Sequence, residues 1–221
     1  MPARAQQIGE NKFMPGRYVI AGILLAAGAS RRFGTPKLLQ PLADGTPMAL
    51  ACVRALTASV DRVIAVIRPD DKALAQLFAN HEVPVLPCPE APEGMGRSIA
   101  CGARASADAD AWIIALADMP FIRKSTILGV ADLLRDGAML AAPFYAGRRG
   151  HPVGFSRSLG IALRELKGDT GGRSIVAQHL DGLRLCPCSD PGIHWDIDTP
   201  EDLVLCESLE KGRGAVEQSL L

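Results

Sequence analysis

Glycine, arginine and lysine residues cluster in one short segment, residues 28–37, directly after a strongly apolar stretch of the chain. Glycine lets backbone N–H groups approach an anion closely, and guanidinium and ammonium groups supply positive charge. The segment, which contains Gly28, Ser30, Arg32 and Lys37, therefore favours a phosphate-binding loop. An ordinary strand end followed by a solvated basic loop is the alternative, because glycine-rich loops are common.

Asp118 directly follows an uncharged apolar run, residues 111–117, and precedes Met119 and Pro120. Mg²⁺ prefers one or two carboxylates together with phosphate oxygens and water. A carboxylate on the same edge as a phosphate loop is well placed to hold such an ion. We therefore predict that Asp118 binds a divalent cation, Mg²⁺ with Mn²⁺ as the alternative ion. The competing interpretation is that Asp118 only caps the next turn.

Two further carboxylates, Asp196 and Asp198, flank Ile197 at the end of a predicted strand over residues 193–197. Residues two apart on a strand share a face, so both carboxylates could face the same site. We expect Asp196 to be the second metal ligand. Asp198 is the weaker candidate, because it could instead belong to the cap of a helix that starts at Thr199 and Pro200.

Two other polar residues lie close to glycines in the sequence. Ser98 follows Gly96 at the head of a predicted helix, where its hydroxyl and the first backbone amides could contact a base or phosphate. His151 lies between Gly150 and Pro152. This is an unusual position for a core histidine, although a single loop histidine more often has no catalytic role.

The elements that must position these residues alternate between strand and helix. Strands are predicted over residues 18–26, 60–67, 83–86, 111–117, 138–143, 153–155, 183–186 and 193–197. Helices are predicted over residues 47–56, with Thr46 as the cap, and over residues 71–80, 97–106, 125–135, 156–167, 174–180 and 200–211. The central strands are apolar throughout, which indicates a mostly parallel sheet covered by helices on both faces, a three-layer α/β/α Rossmann-like fold. Ligands of such folds bind at the carboxyl ends of the strands.

Composition is that of one globular domain. The chain has 221 residues and a formal net charge of +0. We expect a single domain over residues 18–211, with a loose tail at residues 1–17 and a frayed end at residues 212–221. Such a charge balance lacks the basic footprint of a nucleic-acid-binding protein, so no nucleic-acid partner is expected.

The six cysteines are expected to be free thiols in a reducing compartment. Cys186 and Cys188 form the one close pair, and their spacing is not that of a usual zinc site. The first 17 residues lack the apolar core of a secretory signal, and the longest apolar run, residues 18–27, is too short to cross a membrane. We therefore predict a soluble, cytoplasmic protein.

Several motifs in order resemble those of the MobA-like nucleotidyltransferases. The first is Leu25-Ala26-Ala27-Gly28-x-Ser30-x-Arg32-Phe33-Gly34-x-x-Lys37-Leu38-Leu39. The others are Glu93-Gly94-Met95-Gly96-x-Ser98, Asp118-Met119-Pro120, Gly147-x-Arg149-Gly150-His151-Pro152-Val153, Gly168-Asp169-x-Gly171-Gly172-Arg173 and Asp196-Ile197-Asp198-Thr199-Pro200-Glu201-Asp202-Leu203. The double alanine is similar to the cytidylyltransferase (MocA-like) branch, and the resemblance covers residues 19–209.

The resemblance implies roles for individual residues. Leu25, Ala26, Ala27, Gly28, Ser30, Gly96 and Ser98 would contact the nucleotide. Arg32 and Lys37 would bind its phosphates and, with Asp118, act in catalysis. Asp118 would bind Mg²⁺ with help from Asp196. The loops that contain Arg149, His151, Asp169 and Arg173 would face a pterin substrate.

The implied reaction transfers CMP from CTP to the terminal phosphate of molybdopterin-bound molybdenum, with release of pyrophosphate. The implied partner is a molybdoenzyme of the xanthine dehydrogenase type or its maturation chaperone. A related transferase that uses GTP or a sugar phosphate, and a non-catalytic carrier of the molybdenum cofactor, stay open as alternatives. A dinucleotide-dependent oxidoreductase fits poorly, because no G-x-G-x-x-G follows the first strand.

Overall fold

A computed structural model describes residues 17–28 and 33–218 of the chain. Ser30 and Arg32 of the predicted phosphate loop lie outside the described residues, as does the expected N-terminal tail apart from Arg17. The guanidinium of Arg17 pairs with Asp61 at 2.7 Å.

The described residues form one eight-stranded, mostly parallel sheet. Its strands are β1 (Ile20–Leu25), β2 (Arg62–Ile67), β3 (Val85–Pro87), β4 (Ala111–Leu116), β5 (Leu140–Tyr145), β6 (Arg148–Arg149), β7 (Val153–Ser156) and β8 (Leu183–Pro187). They lie in the order β3-β2-β1-β4-β7-β5-β6, and β8 pairs with β5. β7 runs antiparallel to both β4 and β5. The predicted fold class is confirmed.

Seven α-helices accompany the sheet within residues 17–28 and 33–218. They are α1 (Met48–Thr57), α2 (Lys72–Ala79), α3 (Met95–Ala105), α4 (Lys124–Arg135), α5 (Gly160–Arg164), α6 (Arg173–Gln178) and α7 (Pro200–Gln218). No helix in this part of the chain is both long and apolar enough to cross a membrane.

Two apolar cores lie on opposite faces of the sheet. Side chains alternate along a strand, so Ile113 of β4 packs into the core that contains α1 and α4, whereas Trp112 packs into the core that contains α3 and α5. Trp112 is fully buried, and its indole nitrogen donates a hydrogen bond of 2.9 Å to Ser106. Both faces of the central strands are therefore buried, as their continuous apolar sequence predicts.

The register of the central strands places their carboxyl ends at one edge. Leu25 at the end of β1 pairs with Val66 of β2 and Leu116 of β4. The ladder continues beyond the strands, since the amide of Ala26 donates to Val66 and that of Ala117 donates to Leu25. The loop after β1 and the loop after β4 therefore leave the sheet side by side.

Several predicted boundaries differ from the structure. The strand over residues 193–197 is wrong: Pro191–His194 forms a 3-10 turn, which suits the Pro-Gly start, and no strand follows. Residues 156–167 form a 3-10 turn followed by the short α5 rather than one helix. The helix cap predicted at Thr46 lies one residue later, at Pro47. The last helix passes beyond residue 211 and ends at Gln218.

Candidate functional site

Lys37 joins two carboxylates at the carboxyl edge of the sheet. Its Nζ lies 2.9 Å from Oδ2 of Asp118 and 3.3 Å from Oδ1 of Asp198. The lysine side chain is only 8 % exposed, and each carboxylate is 28 % exposed. One ammonium thus faces two carboxylates. Carboxylate oxygens are ligands that Mg²⁺ prefers, so this edge of the sheet is suited to a divalent cation.

Asp118 is positioned by the end of β4. The apolar strand ends at Leu116, and the amide of Ala117 donates 3.1 Å to Leu25 of β1, so Asp118 is the first charged residue beyond the sheet. The Cys52 thiol lies beside it and donates to the carbonyl of Ala117 at 3.3 Å. Burial, followed by the nearby charge of Asp118, raises the pKa of Cys52 and keeps it a neutral thiol.

Asp198 is held against the same edge by the chain before α7. The amide of Ile197 donates 3.0 Å to the carbonyl of Asp118, which ties the two carboxylate segments together. The amide of Thr199 donates 2.8 Å to Asp202, whose own amide donates 3.2 Å to the Thr199 hydroxyl, so the predicted cap at Thr199 forms. Asp198 therefore both precedes the helix cap and reaches Lys37.

Asp196 occupies a different position. Its side chain is exposed, and it lines a cavity that also contains His151. Because residues 193–197 do not form a strand, the shared-face reason for preferring Asp196 over Asp198 fails. The distances to Lys37 favour Asp198 as the partner of Asp118.

A buried aspartate that the sequence did not reveal anchors this segment. Asp190 is 1 % exposed and accepts hydrogen bonds from the Arg123 amide at 2.8 Å and the Thr126 hydroxyl at 2.7 Å. It also accepts 2.8 Å from Arg213 of α7. The Asp-Pro sequence signals a turn, but its partners are distant in the chain. Asp190 thus fixes residues 190–198 against α4 and α7.

One cavity of about 780 Å³ opens beside Lys37. Four residues predicted to contact a nucleotide line it: Leu25, Ala27, Gly28 and Ser98. Two others have different surroundings: Ala26 is buried, and neither it nor Gly96 lines the cavity. Further lining residues are Leu38, Arg68, Pro69, Asp70, Pro89, Ala91, Pro92, Gly94 and Met95.

Gly96 instead lets a second loop pack on the start of α3. Its amide donates 2.8 Å to the carbonyl of Gly168, and a Cβ at this position would lie only 2.8 Å from the carbonyl oxygen of Lys167. Glycine is therefore required by close backbone contact. The packing brings Asp169 to the wall of the cavity.

A second cavity of about 660 Å³ adjoins the first. The four residues predicted to face an acceptor line it: Arg149, His151, Asp169 and Arg173. Arg148, His194, Asp196 and Asp198 also line this cavity. Three arginines in one cavity suit a substrate that carries phosphate groups, because guanidinium groups bind phosphate oxygens in pairs.

The two histidines of this cavity have buried ring nitrogens without a hydrogen-bond partner among the described residues, Nδ1 of His151 and Nε2 of His194. Burial lowers the pKa of His151; Asp118 and Asp196 oppose the shift, and Arg173 and Arg149 add to it. His151 is therefore a neutral imidazole near pH 7 and can donate or accept a hydrogen bond.

Five residues line both cavities: Leu25, Met95, Leu116, Asp118 and Asp169. Two ligands could therefore lie on either side of Asp118, with the reacting groups close to Lys37 and the carboxylates. An α/β sheet with such a two-substrate site at its carboxyl edge is the arrangement of an enzyme that transfers a nucleotide.

Comparison with known proteins also indicates nucleotide transfer. Residues 22–183 match the family described as the MobA-like NTP transferase domain. The chain therefore belongs to the MobA-like NTP transferase family, and it is an enzyme of the nucleotidyltransferase class.

Two relatives and two solved structures of one protein each match more than four fifths of the chain. Purine catabolism protein PucB of Bacillus subtilis is 31 % identical over 199 residues, which cover 86 % of this chain and 96 % of PucB. Nicotine blue oxidoreductase of Paenarthrobacter nicotinovorans is 28 % identical, and the match covers 83 % of this chain and 94 % of that relative. The solved structure of Rv0371c of Mycobacterium tuberculosis is 26 % identical, with a TM-score of 0.71. The superposition covers 86 % of this chain and 98 % of Rv0371c. A manganese complex of Rv0371c superposes with a TM-score of 0.66 at 26 % identity. This superposition covers 83 % of this chain and 95 % of the chain in the complex.

Proposed function

We propose that this chain transfers CMP from CTP to the terminal phosphate of a molybdopterin-type molybdenum cofactor and releases pyrophosphate. The observation that carries the proposal is the wall shared by the two cavities, where Asp118 contacts both. Family membership supports nucleotidyl transfer. The double alanine at Ala26 and Ala27 supports CTP as the nucleotide, and the arginine-rich second cavity supports a phosphorylated acceptor.

The first cavity would hold CTP. Leu25, Ala27 and Gly28 would contact the nucleotide, and the half-turn at the start of α3 would place Ser98 near the base. Lys37, whose ammonium is already fixed at the cavity wall, would neutralise charge on the phosphates as the bond to pyrophosphate breaks. Arg32 is proposed to assist it.

Asp118 and Asp198 would hold a divalent cation, Mg²⁺ or Mn²⁺. Their oxygens meet around one point, the Lys37 ammonium, at 2.9 Å and 3.3 Å. When bound, the ion would supply positive charge at the phosphate oxygens. Asp196, which lines the second cavity, is the supporting carboxylate in this scheme.

The second cavity would hold the acceptor. Arg149 and Arg173 would bind and orient its phosphate so that a phosphate oxygen meets the α-phosphorus of CTP in line with the leaving pyrophosphate. A neutral His151 could donate a hydrogen bond to the pterin or its phosphate without adding charge. Asp169 stands between the two ligands.

The proposal is tested by pyrophosphate release from the full chain with Mg²⁺, molybdenum-loaded cofactor and each of the four nucleoside triphosphates. CTP should react fastest. Preference for GTP would assign the chain to guanylyl transfer, and reaction with a sugar phosphate in place of the pterin would identify another acceptor. Release that persists in Asp118→Ala at ordinary Mg²⁺ concentration would contradict the metal role of Asp118, and absence of release with every nucleotide would favour a carrier function.

We further propose that the product passes to a molybdoenzyme of the xanthine dehydrogenase type or to its maturation chaperone. The relative named as a purine catabolism protein supports this link, because xanthine is a purine. A cytoplasmic location belongs to the same proposal.

A further inference from the structure

Cys88, Glu90 and Cys101 form a cluster behind the first cavity that nucleotidyl transfer does not use. Cys88 follows β3, Glu90 lies two residues later, and Cys101 lies on α3. Among the described residues, their two sulfurs and one carboxylate oxygen lie within 4.8 Å of one another. Cys88 is fully buried, whereas Glu90 and Cys101 are half-buried and leave a path from solvent.

The distances suit a small tetrahedral ion that prefers sulfur. The sulfur of Cys88 lies 3.7 Å from Oε2 of Glu90. With zinc–sulfur and zinc–oxygen bonds of about 2.3 Å and 2.0 Å, a tetrahedral angle places sulfur and oxygen about 3.5 Å apart. The same angle places two sulfurs about 3.8 Å apart, so the cluster needs to contract by no more than about 1 Å. The fourth position would be open to water.

The surrounding charges also suit a divalent ion. Arg104 lies 3.6 Å from the second oxygen of Glu90 and orients the carboxylate. Two thiolates and one carboxylate would carry three negative charges, which Zn²⁺ and the Arg104 guanidinium would balance. Without an ion, burial and then the neighbouring Cys101 and Glu90 raise the pKa of Cys88 to about 12, so this thiol stays protonated. Because zinc binds thiolates, binding must release thiol protons.

We propose that Cys88, Glu90 and Cys101 form a zinc site that joins the loop after β3 to α3. This site is separate from the cation site at Asp118. Pro89, Ala91 and Pro92 of the same loop line the first cavity, so the ion would fix one wall of that cavity. Its role is structural, because Cys88, Glu90 and Cys101 do not line either cavity.

The test uses the full chain, reduced, metal-free and without nucleotide. Zn²⁺ should bind with one equivalent and release two protons, and Co²⁺ should give the thiolate-to-metal absorption of two sulfur ligands. Cys88→Ser and Cys101→Ser should each weaken binding by at least about 100-fold, since loss of residues that only orient metal ligands already costs 10–100-fold. Glu90→Gln should weaken it less while leaving the thiolate absorption.

Controls separate this site from the other cysteines and from the proposed active site. Cys206→Ser, Asp118→Asn and the double variant Cys186→Ser/Cys188→Ser should bind Zn²⁺ as the unchanged chain does. Because Cys88 is buried, the half-buried Cys101 and Glu90 give independent variants if Cys88→Ser fails to fold. Absence of tight zinc binding by the reduced chain, or binding that persists in Cys101→Ser and is lost in Cys186→Ser/Cys188→Ser, would overturn the proposal.

Discussion

The two cavities adjoin at Asp118 but are built from different parts of the sheet. The first lies over the parallel strands β1, β2 and β4, and proline, glycine, alanine and serine make up nearly half of its lining, with Lys37 and Arg68 as its basic residues. The second lies over the antiparallel strands β6 and β7 and contains three arginines and two histidines. The first is thus formed by short motifs at strand ends, whereas the second joins loops that are distant in the chain.

The difference indicates how recognition and chemistry divide. A loop whose backbone can approach a ligand closely suits a nucleotide. Several guanidinium groups suit the phosphate of an acceptor, whatever group that phosphate is attached to. Asp118 belongs to both cavities. Changes in the shared wall should therefore abolish transfer, and changes confined to one cavity should affect one substrate.

The largest effect is expected for Asp118→Asn. In the proposed scheme Asp118 holds the cation, and loss of its charge would remove several kcal/mol of stabilisation, so kcat should fall by at least about 1,000-fold. Pyrophosphate release at saturating substrates measures this. Asp181→Asn, an exposed change away from both cavities, is the matched control. If Asp118→Asn lowered the affinity for only one substrate and left kcat unchanged, Asp118 would not act on both substrates.

Lys37→Met should lower kcat by about 100- to 1,000-fold, the loss typical of one fixed charge partner in the transition state. The circular dichroism spectrum should be unchanged. In the absence of nucleotide, Mn²⁺ should bind more tightly to this variant, because the ammonium no longer competes for Asp118 and Asp198. Lys72→Met on the exposed side of α2 is the control. Weaker Mn²⁺ binding would mean that Lys37 does not share its site with the cation.

Asp198→Asn should lower kcat by about 100-fold, more than Asp196→Asn does, because Asp198 contacts Lys37, which also contacts Asp118. Asp196→Asn should act chiefly on the KM of the acceptor. Steady-state kinetics of the two variants, measured side by side, decide between the carboxylates. A lower kcat for Asp196→Asn than for Asp198→Asn would instead identify Asp196 as the metal ligand.

Arg149→Ala and Arg173→Ala should raise the KM of the acceptor by about 10- to 100-fold, the loss expected for one or two charged hydrogen bonds. The KM of CTP should be unchanged. Arg184→Ala, an exposed change on β8, is the control. Equal effects on both substrates would remove the functional division between the cavities.

The smallest effect concerns His151 and pH. In the unfolded chain this histidine takes up a proton as the pH falls through about 6.5, whereas burial lowers its pKa in the folded chain. The unfolded state then binds more protons, so stability is lost as the pH falls from about 6.5 towards the folded pKa. The Tm of His151→Asn should therefore depend less on pH, by a few degrees at most, since 1 kcal/mol corresponds to about 2–4 °C in a domain of this size.

A steeper fall in the Tm of His151→Asn on acidification would contradict this expectation. His81→Asn, at an exposed position, should follow the unchanged chain across the same pH range. Thermal unfolding at about pH 7 and about pH 5 is sufficient for the comparison.

Individual residues show how far sequence alone could predict the site. Asp118 was predictable, because one charge directly after an apolar strand must lie at the sheet edge. The contact of Asp198 with Lys37 was not predictable, because residues 193–197 resemble a strand but follow a 3-10 turn at Pro191–His194. The Cys88–Glu90–Cys101 cluster gave no recognisable spacing, since its members lie on a loop and a helix.

The sequence by itself determined the fold class and most of the strands and helices, because hydrophobic periodicity and turn residues act over a few neighbours. It also carries the motifs that resemble the MobA-like family, to which the chain belongs. Only the tertiary structure decided which carboxylates meet Lys37, since Asp118 and Asp198 lie 81 and 161 positions away in the chain. Contacts over such separations depend on strand register and on the packing of residues 190–198, which no local pattern encodes.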